Sequence, residues 1–237
     1  MTSTDPVVSP VATGSGWPAS VRVCCTRREA QGPGYPGLNV GLHVGDDQAR
    51  VLDNRRRLVA AGVPPVVWLD QVHGREVARV VEVPGSPPTA DAAWTAVPDL
   101  ALAIMVADCL PVVLTDAQGN AVAGVHCGWR GLVAGVLEAT LDAFQSEDLR
   151  ACFGPCIGPC HYEVGAEVAE RFRETPGVVC TRSGSLYVDL YAEATARLRR
   201  RGVRCGPRAA CTHCAPGLYS YRRDGVTGRQ ALIAWKE

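Results

Sequence analysis

Three side chains in this sequence carry the chemistry of a single transition-metal centre: His73, Cys109 and His126. Two imidazoles and one thiolate leave a fourth position open on a tetrahedral ion, which is what a catalytic zinc needs for its water. They are scattered along the chain, so no compact motif binds them to one another. The same residues also suit a cysteine hydrolase, with Cys109 as nucleophile, His126 or His73 as base and Asp108 as orienter. The bland alternative makes His73 a turn histidine and Cys109 a buried thiol. Copper is a third possibility, but a blue-copper site adds a weak axial methionine to this set. Apart from Met1 the only methionine is Met105, ~13 Å from Cys109 if the strand between them is regular. The five histidines are too few for the further coppers of a laccase.

Rigid elements must aim these groups. Residues 100–131 hold two apolar runs, parted by a polar break from Thr115 to Asn120, and both read as buried strands. The first run delivers Asp108 and Cys109; the second delivers His126, followed by Gly128-Trp129-Arg130-Gly131. In a regular strand Asp108 points away from Cys109, and Cys127 away from the metal. Arg130 falls at a strand-to-helix turn, where free N–H groups and the helix dipole favour an anion such as phosphate; pairing with a structural carboxylate is the alternative. Arg222 and Arg223 are further phosphate candidates, against a solvated loop.

The remaining elements follow in order. Residues 21–26 read as a strand, 29–37 as a Gly/Pro loop, and 38–47 as a loop bearing Asn39, His43, Asp46 and Asp47. Residues 49–61 read as a helix stopped by Gly62, with Arg55, Arg56 and Arg57 on a solvated face. A strand over 66–74 ends at Gln71-Val72-His73-Gly74, and a second covers 76–83. The loop 84–99 contains Asp91, a possible turn carboxylate. Helices are expected from 131 to 144, from 163 to 174, and from 189 to 201 between an Asp189 cap and Gly202. A polar loop and a final strand close the chain. The expected fold is α+β: one domain over 21–237, a mixed β-sheet core with flanking helices, after a flexible lead-in at 1–20.

Composition removes several classes. With 24 basic and 24 acidic residues and a pI near 6.9, nothing suggests a nucleic-acid or membrane-surface partner. No apolar run approaches a membrane span. The first twenty residues lack a basic start and an apolar core, so a cytoplasmic protein is expected. Eleven cysteines then read as thiols. Cys211-Thr212-His213-Cys214 has C-x-x-C spacing without a matching second pair, and Cys152, Cys156 and Cys160 lack the spacing of an iron–sulfur motif. Both sets are expected to be loop thiols.

Several motifs, in order, resemble the YfiH/laccase-domain family: Leu38-Asn39-Val40-Gly41 with His43-Val44-Gly45-Asp46-Asp47, Gln71-Val72-His73-Gly74, Ala107-Asp108-Cys109-Leu110-Pro111, His126-Cys127-Gly128-Trp129-Arg130-Gly131 and Ser220-Tyr221-Arg222-Arg223-Asp224-Gly225. The resemblance implies zinc on His73, Cys109 and His126, and a YfiH-like fold. It implies small-molecule partners, purine nucleosides and phosphate: phosphorolysis of adenosine, inosine or guanosine and methylthioadenosine, with adenosine deamination beside it. Family members were first called multicopper polyphenol oxidases. The family's histidine, cysteine and histidine map residue by residue, with Asn39 and His43 as substrate-binding groups. Zinc held there would lower the pKa of a bound water and supply a hydroxide for attack on C6 of adenosine, with a carboxylate, Asp108 being nearest in sequence, to move protons. The sequence departs from the family at Cys127, where alanine is usual, and around Glu29 to Gly32, where a Gly-Gly-Val-Ser turn is replaced. It departs again at Cys156 and Cys160 in a loop that is GPAIG-like in relatives.

Overall fold

The computed structural model describes residues 7–30, 32–144 and 148–237. Its organisation follows from the two faces of a strand buried on both sides. Along Ala101–Val106, Leu102, Ile104 and Val106 enter one core, while Ala101, Ala103 and Met105 enter another. The first core lies between two sheets. A five-stranded sheet runs Val8–Pro10, Val21–Thr26, Gln230–Lys236, Ala101–Val106, Val66–Val67, and a six-stranded sheet runs Arg204–Cys205, Leu149–Phe153, Leu110–Asp116, Val122–Cys127, Ala92–Thr95, Val77–Arg79. Both mix parallel and antiparallel pairs.

Helices cover the outer faces. Leu58 of Gln48–Ala60 packs with Ala103, Met105 and Ile233 on the five-stranded sheet. Leu137 and Leu141 of Val136–Ala143 and Leu198 of Leu190–Arg200 pack with Val112, Leu114 and Val125 on the other. The result is a helix–sheet–sheet–helix sandwich, the mixed α and β domain that the pattern predicts. The sheets approach closely at Gly124, where a Cβ would stand 2.9 Å from Ile104 Cγ1. A small sheet of Glu163–Val164, Ser185–Val188 and Val179–Arg182 stands apart. Among the described residues no helix is long and apolar enough to cross a membrane.

Several expectations are corrected. The apolar run that reads as one strand through Cys109 is two strands in different sheets. Residues 107–109 form the bend between them, with Asp108 at φ 99°; alternation of apolar residues continues across a bend, so the pattern hides it. The helix expected over 131–144 breaks at Gly135 (φ 87°) into Trp129–Ala134 and Val136–Ala143. Regular strand is confined to Val66–Val67 and Val77–Arg79 in the two stretches read as longer strands. In place of a helix over 163–174 there is a two-residue strand, one α turn at Ala166–Ala169 and a 3₁₀ turn at Glu170–Phe172. Asp47 and Asp189 cap their helices by accepting from Arg50 N (2.8 Å) and Ala192 N (3.0 Å).

Arg55 does not lie on a solvated face. Its guanidinium stacks 3.9 Å from the Trp68 ring centroid and donates to Val40 O, and desolvation lowers its pKa to about 10. Part of the lead-in is ordered too, since Val8–Pro10 pairs antiparallel with Val21–Thr26; residues 1–6 lie outside the described chain.

Candidate metal centre

The inter-sheet bend and two loops bring the three distant residues together. Cys109 ends the 107–109 bend, His126 lies on the strand Val122–Cys127, and His73 sits in the loop after residue 70. One ligand atom from each lies within 4.8 Å of the others. Cys109 Sγ is 3.8 Å from His73 Nε2, and the imidazole centroids are 4.8 Å apart with planes at 72°. On an ion bound at about 2.3 Å to sulfur and about 2.0–2.1 Å to nitrogen, tetrahedral edges run to about 3.5 Å, so the group is of the right size. Gly128 leaves the room: a Cβ there would stand 2.8 Å from His73 Cδ2 and 3.3 Å from Cys109 Sγ.

Asp91, expected only as a turn carboxylate, organises this centre. It is fully buried. Its Oδ1 accepts from His126 Nδ1 (2.7 Å) and His73 N (2.9 Å), and its Oδ2 from Gly74 N (2.6 Å) and Val72 N (3.2 Å). One carboxylate thus sets the His126 tautomer, leaving Nε2 for the centre. It also holds His73 at φ 61°, a left-handed conformation that costs a non-glycine residue roughly 1–2 kcal/mol. Gln71 helps: its Nε2 donates to Met105 O (2.9 Å) and its Oε1 accepts from Met105 N (2.8 Å). The signal for Asp91 was its place just before a strand antiparallel to that of His126, a pairing the sequence does not display.

The electrostatics favour charge separation. Burial alone would raise the Cys109 pKa, but the His126 charge and hydrogen bonds from both imidazoles outweigh it and bring the thiol to about 6. Burial likewise opposes a charged His126, yet Cys109 and Asp91 lift it to about 9. Asp91 is pushed up by burial and pulled further down by His126 and the backbone N–H groups, ending below its ordinary value. Cys127 faces the other way, into the helix-covered core, and burial raises its pKa.

The group opens onto a cavity of about 400 Å³. Arg130, Arg222 and Arg229 line it, together with Trp129, Tyr162, Tyr221 and His43. Among the described residues none of these three arginines is ion-paired with a carboxylate. Arg229 and the two tyrosines escape sequence reasoning as site residues, because Arg229 and Tyr162 lie in loops and Tyr221 opens the helical turn Tyr221–Asp224, all carried to the centre only by the fold. Desolvation, then Arg229 and Arg55, lower the His43 pKa, so the ring is neutral at pH 7.

Other expected site residues have different duties. Asn39 does not line the cavity; it is buried, its Oδ1 accepting from Gly41 N and Arg229 N and its Nδ2 donating to Asp46 Oδ2. It positions Arg229 and the 38–46 loop. Arg223 is no free cation: it donates to the carbonyls of Thr212, His213, Ala215 and Leu218 and to the Asp224 carboxylate. Asp108 lines the cavity, yet its Oδ1 accepts from Thr212 Oγ1 (2.6 Å) and its Oδ2 from Arg222 N (2.7 Å). Both oxygens hold the bend, which leaves the carboxylate poorly placed to carry protons. The bend also cancels the straight-strand argument against Met105; its sulfur accepts from Arg55 Nη2 at 3.7 Å.

Fold and site together define a mixed α and β protein, built on two packed sheets, with a candidate two-histidine, one-thiolate metal centre in an arginine-rimmed cavity. The chain belongs to the multi-copper polyphenol oxidoreductase laccase family, whose sequence model matches residues 22–237. It is 42% identical over 231 residues to "Purine nucleoside phosphorylase YfiH" of Shigella flexneri, covering 92% of this chain and 95% of that one. It is 40% identical over 232 residues to a purine nucleoside phosphorylase of Mycobacterium tuberculosis, covering 91% and 92%. A crystal structure of a Neisseria meningitidis protein superposes with a TM-score of 0.88 at 36% identity, over 96% of this chain and 99% of that one. That of Bacillus licheniformis YfiH gives 0.88 at 26%, over 99% and 98%.

Proposed function

We propose that this protein is a zinc-dependent purine nucleoside phosphorylase, acting on adenosine, inosine, guanosine or methylthioadenosine, which also deaminates adenosine. One observation carries the reading: a single cavity joins the His73–Cys109–His126 group to aromatic walls and to three arginines that have no carboxylate ion-pair partner among the described residues. The names of relatives 40–43% identical point the same way. Phosphorolysis replaces the bond from C1′ to the base nitrogen with a bond from C1′ to a phosphate oxygen. The bonding pair leaves with the base, which takes up a proton.

Arg130, Arg222 and Arg229 hold the phosphate by charge-assisted, forked hydrogen bonds. Arg130 lies over the Trp129 ring (4.4 Å to its centroid) and Arg222 over the Tyr162 ring (5.0 Å), so a purine stacks on Tyr221 or on the ring faces these arginines leave open, and there it excludes water. His43, neutral at pH 7, accepts a hydrogen bond from a ribose hydroxyl or holds a proton at a ring nitrogen. Zinc fits the donor set, and when bound at His73, Cys109 and His126 it supplies a Lewis acid and a water of lowered pKa. Copper also suits two imidazoles and a thiolate, and metal analysis of the purified protein decides between them.

The decisive experiment incubates metal-loaded protein with adenosine, inosine and methylthioadenosine, with and without phosphate. Free base, ribose-1-phosphate (methylthioribose-1-phosphate from methylthioadenosine) and inosine formed from adenosine are followed by chromatography. Phosphate-dependent release of base is expected; a metal-loaded sample that forms none of these products overturns the activity and leaves the fold standing. A second reading rests on the thiol pKa of about 6 beside an imidazole of about 9 and Asp91, which also describes a hydrolase nucleophile. Stoichiometric metal that blocks alkylation of Cys109 rules that reading out.

A further inference from the structure

The C-x-x-C segment lacks a partner pair in sequence, but the fold supplies one. The turn that follows Gly158 places Cys160 and His161 against Cys211 and Cys214, and one ligand atom from each of the four lies within 4.8 Å of the others. None of the four lines the cavity. We propose that Cys160, His161, Cys211 and Cys214 bind a second metal ion, a structural zinc in a closed Cys3His site.

The distances suit that ion. Cys160 Sγ lies 3.6 Å from Cys211 Sγ and 3.7 Å from Cys214 Sγ, and Cys214 Sγ lies 3.3 Å from His161 Nδ1. Bond lengths of about 2.3 Å to sulfur and about 2.0–2.1 Å to nitrogen give tetrahedral edges of about 3.8 Å and about 3.5 Å. A disulfide would need a sulfur separation of about 2.05 Å, and three thiols cannot all pair. Three thiolates and one imidazole complete a tetrahedron with no open position, the hallmark of structural rather than catalytic zinc.

The surroundings already hold the ligands in place. Gly158 N–H donates to Cys211 Sγ (3.2 Å), the kind of outer hydrogen bond that orients a thiolate on a metal. His161 N and Tyr162 N both donate to Gly158 O at 3.0 Å, which makes the turn. Arg182 Nη2 fastens that turn through Pro159 O (2.8 Å) and Cys160 O (3.0 Å). Arg223 fastens the other segment through Thr212 O (2.9 Å), His213 O (3.2 Å) and Ala215 O (3.2 Å). The His161 ring stacks on His213 with centroids 3.8 Å apart and planes at 14°, which presents Nδ1 to Cys214.

The staple has a structural purpose. Thr212 Oγ1 donates to Asp108 Oδ1 (2.6 Å) and Ile157 N to Asp108 O (2.9 Å). Both joined segments therefore brace the bend that ends in Cys109, while Ile157 and Tyr162 wall the cavity. A metal here stiffens the catalytic wall without touching substrate.

The test counts metal in purified protein by mass spectrometry. Relative to its parent, the Cys211→Ser/Cys214→Ser double variant is expected to lose one zinc per chain, both in the native background and in a Cys109→Ser background. The second background keeps the result independent of the centre at His73, Cys109 and His126. An unchanged zinc content in both backgrounds overturns the proposal. Should the variant fail to fold, the Cys109→Ser protein is treated with iodoacetamide and mapped by peptide mass. Zinc is expected to shield Cys160, Cys211 and Cys214, and a chelator to expose them. Equal alkylation with and without zinc, or a metal-free Cys160–Cys211 or Cys160–Cys214 disulfide in protein purified with added zinc, overturns the proposal.

Discussion

Replacing Asp91 by asparagine keeps the shape of the side chain and changes only what it can accept. The carboxylate receives four hydrogen bonds, two on each oxygen. An amide nitrogen in the Oδ2 position faces the N–H groups of Val72 and Gly74, donor against donor. In the Oδ1 position it faces His73 N–H and forces His126 into the other tautomer, which removes Nε2 from service as an acceptor. The first orientation loses two bonds, and the second loses one together with the tautomer the metal needs, at a site with no exposed surface. Hydrogen bonds to a charged group are worth about 1.5–3 kcal/mol each, so the loss is about 3–6 kcal/mol in the first orientation and about 1.5–3 kcal/mol in the second, against a domain stability of about 5–15 kcal/mol. Loss of such an orienting partner costs about 10–100-fold in metal affinity. Urea unfolding of the metal-free protein reads the first quantity, and competition with a chromophoric zinc chelator reads the second. Asp91→Asn protein that unfolds with wild-type stability and holds zinc as tightly as wild type would refute the assignment of Asp91 as organiser of the centre.

Other outcomes follow from the same geometry. Gly128→Ala puts a methyl 2.8 Å from His73 Cδ2 and is expected to abolish metal binding at this centre while the sandwich stays folded, as checked by metal content and circular dichroism. Arg229→Met removes a cation that forms no ion pair with a carboxylate among the described residues, and is expected to raise the KM for phosphate about tenfold or more, read by steady-state kinetics. The Asp224 carboxyl is held below its ordinary value chiefly by a hydrogen bond from Arg223, against burial, with Arg28 adding to it. A depressed folded pKa stabilises the protein above the unfolded value and ceases to do so as pH falls through the folded one. Asp224→Asn is therefore expected to lower Tm at pH 7 by about 2–6 °C and to converge with wild type in acid, as measured by melting curves at stepped pH.

Much of this molecule is legible in one dimension. Apolar runs of strand length, the capping aspartate at 189, and the residue types of His73, Cys109 and His126 are properties of residues and their near neighbours, so composition and spacing expose them. The mixed α and β class follows from the same local patterns. What escaped depends on contacts between distant segments. The crossing between sheets at 107–109 leaves the apolar pattern intact. Asp91 became an organiser only because its strand pairs antiparallel with that of His126, and Asn39 and Arg223 proved to be fasteners because their partners lie far along the chain. Cys211 and Cys214 read as loop thiols in the sequence, and only the fold sets Cys160 and His161 beside them, since three-dimensional proximity is something no local spacing encodes.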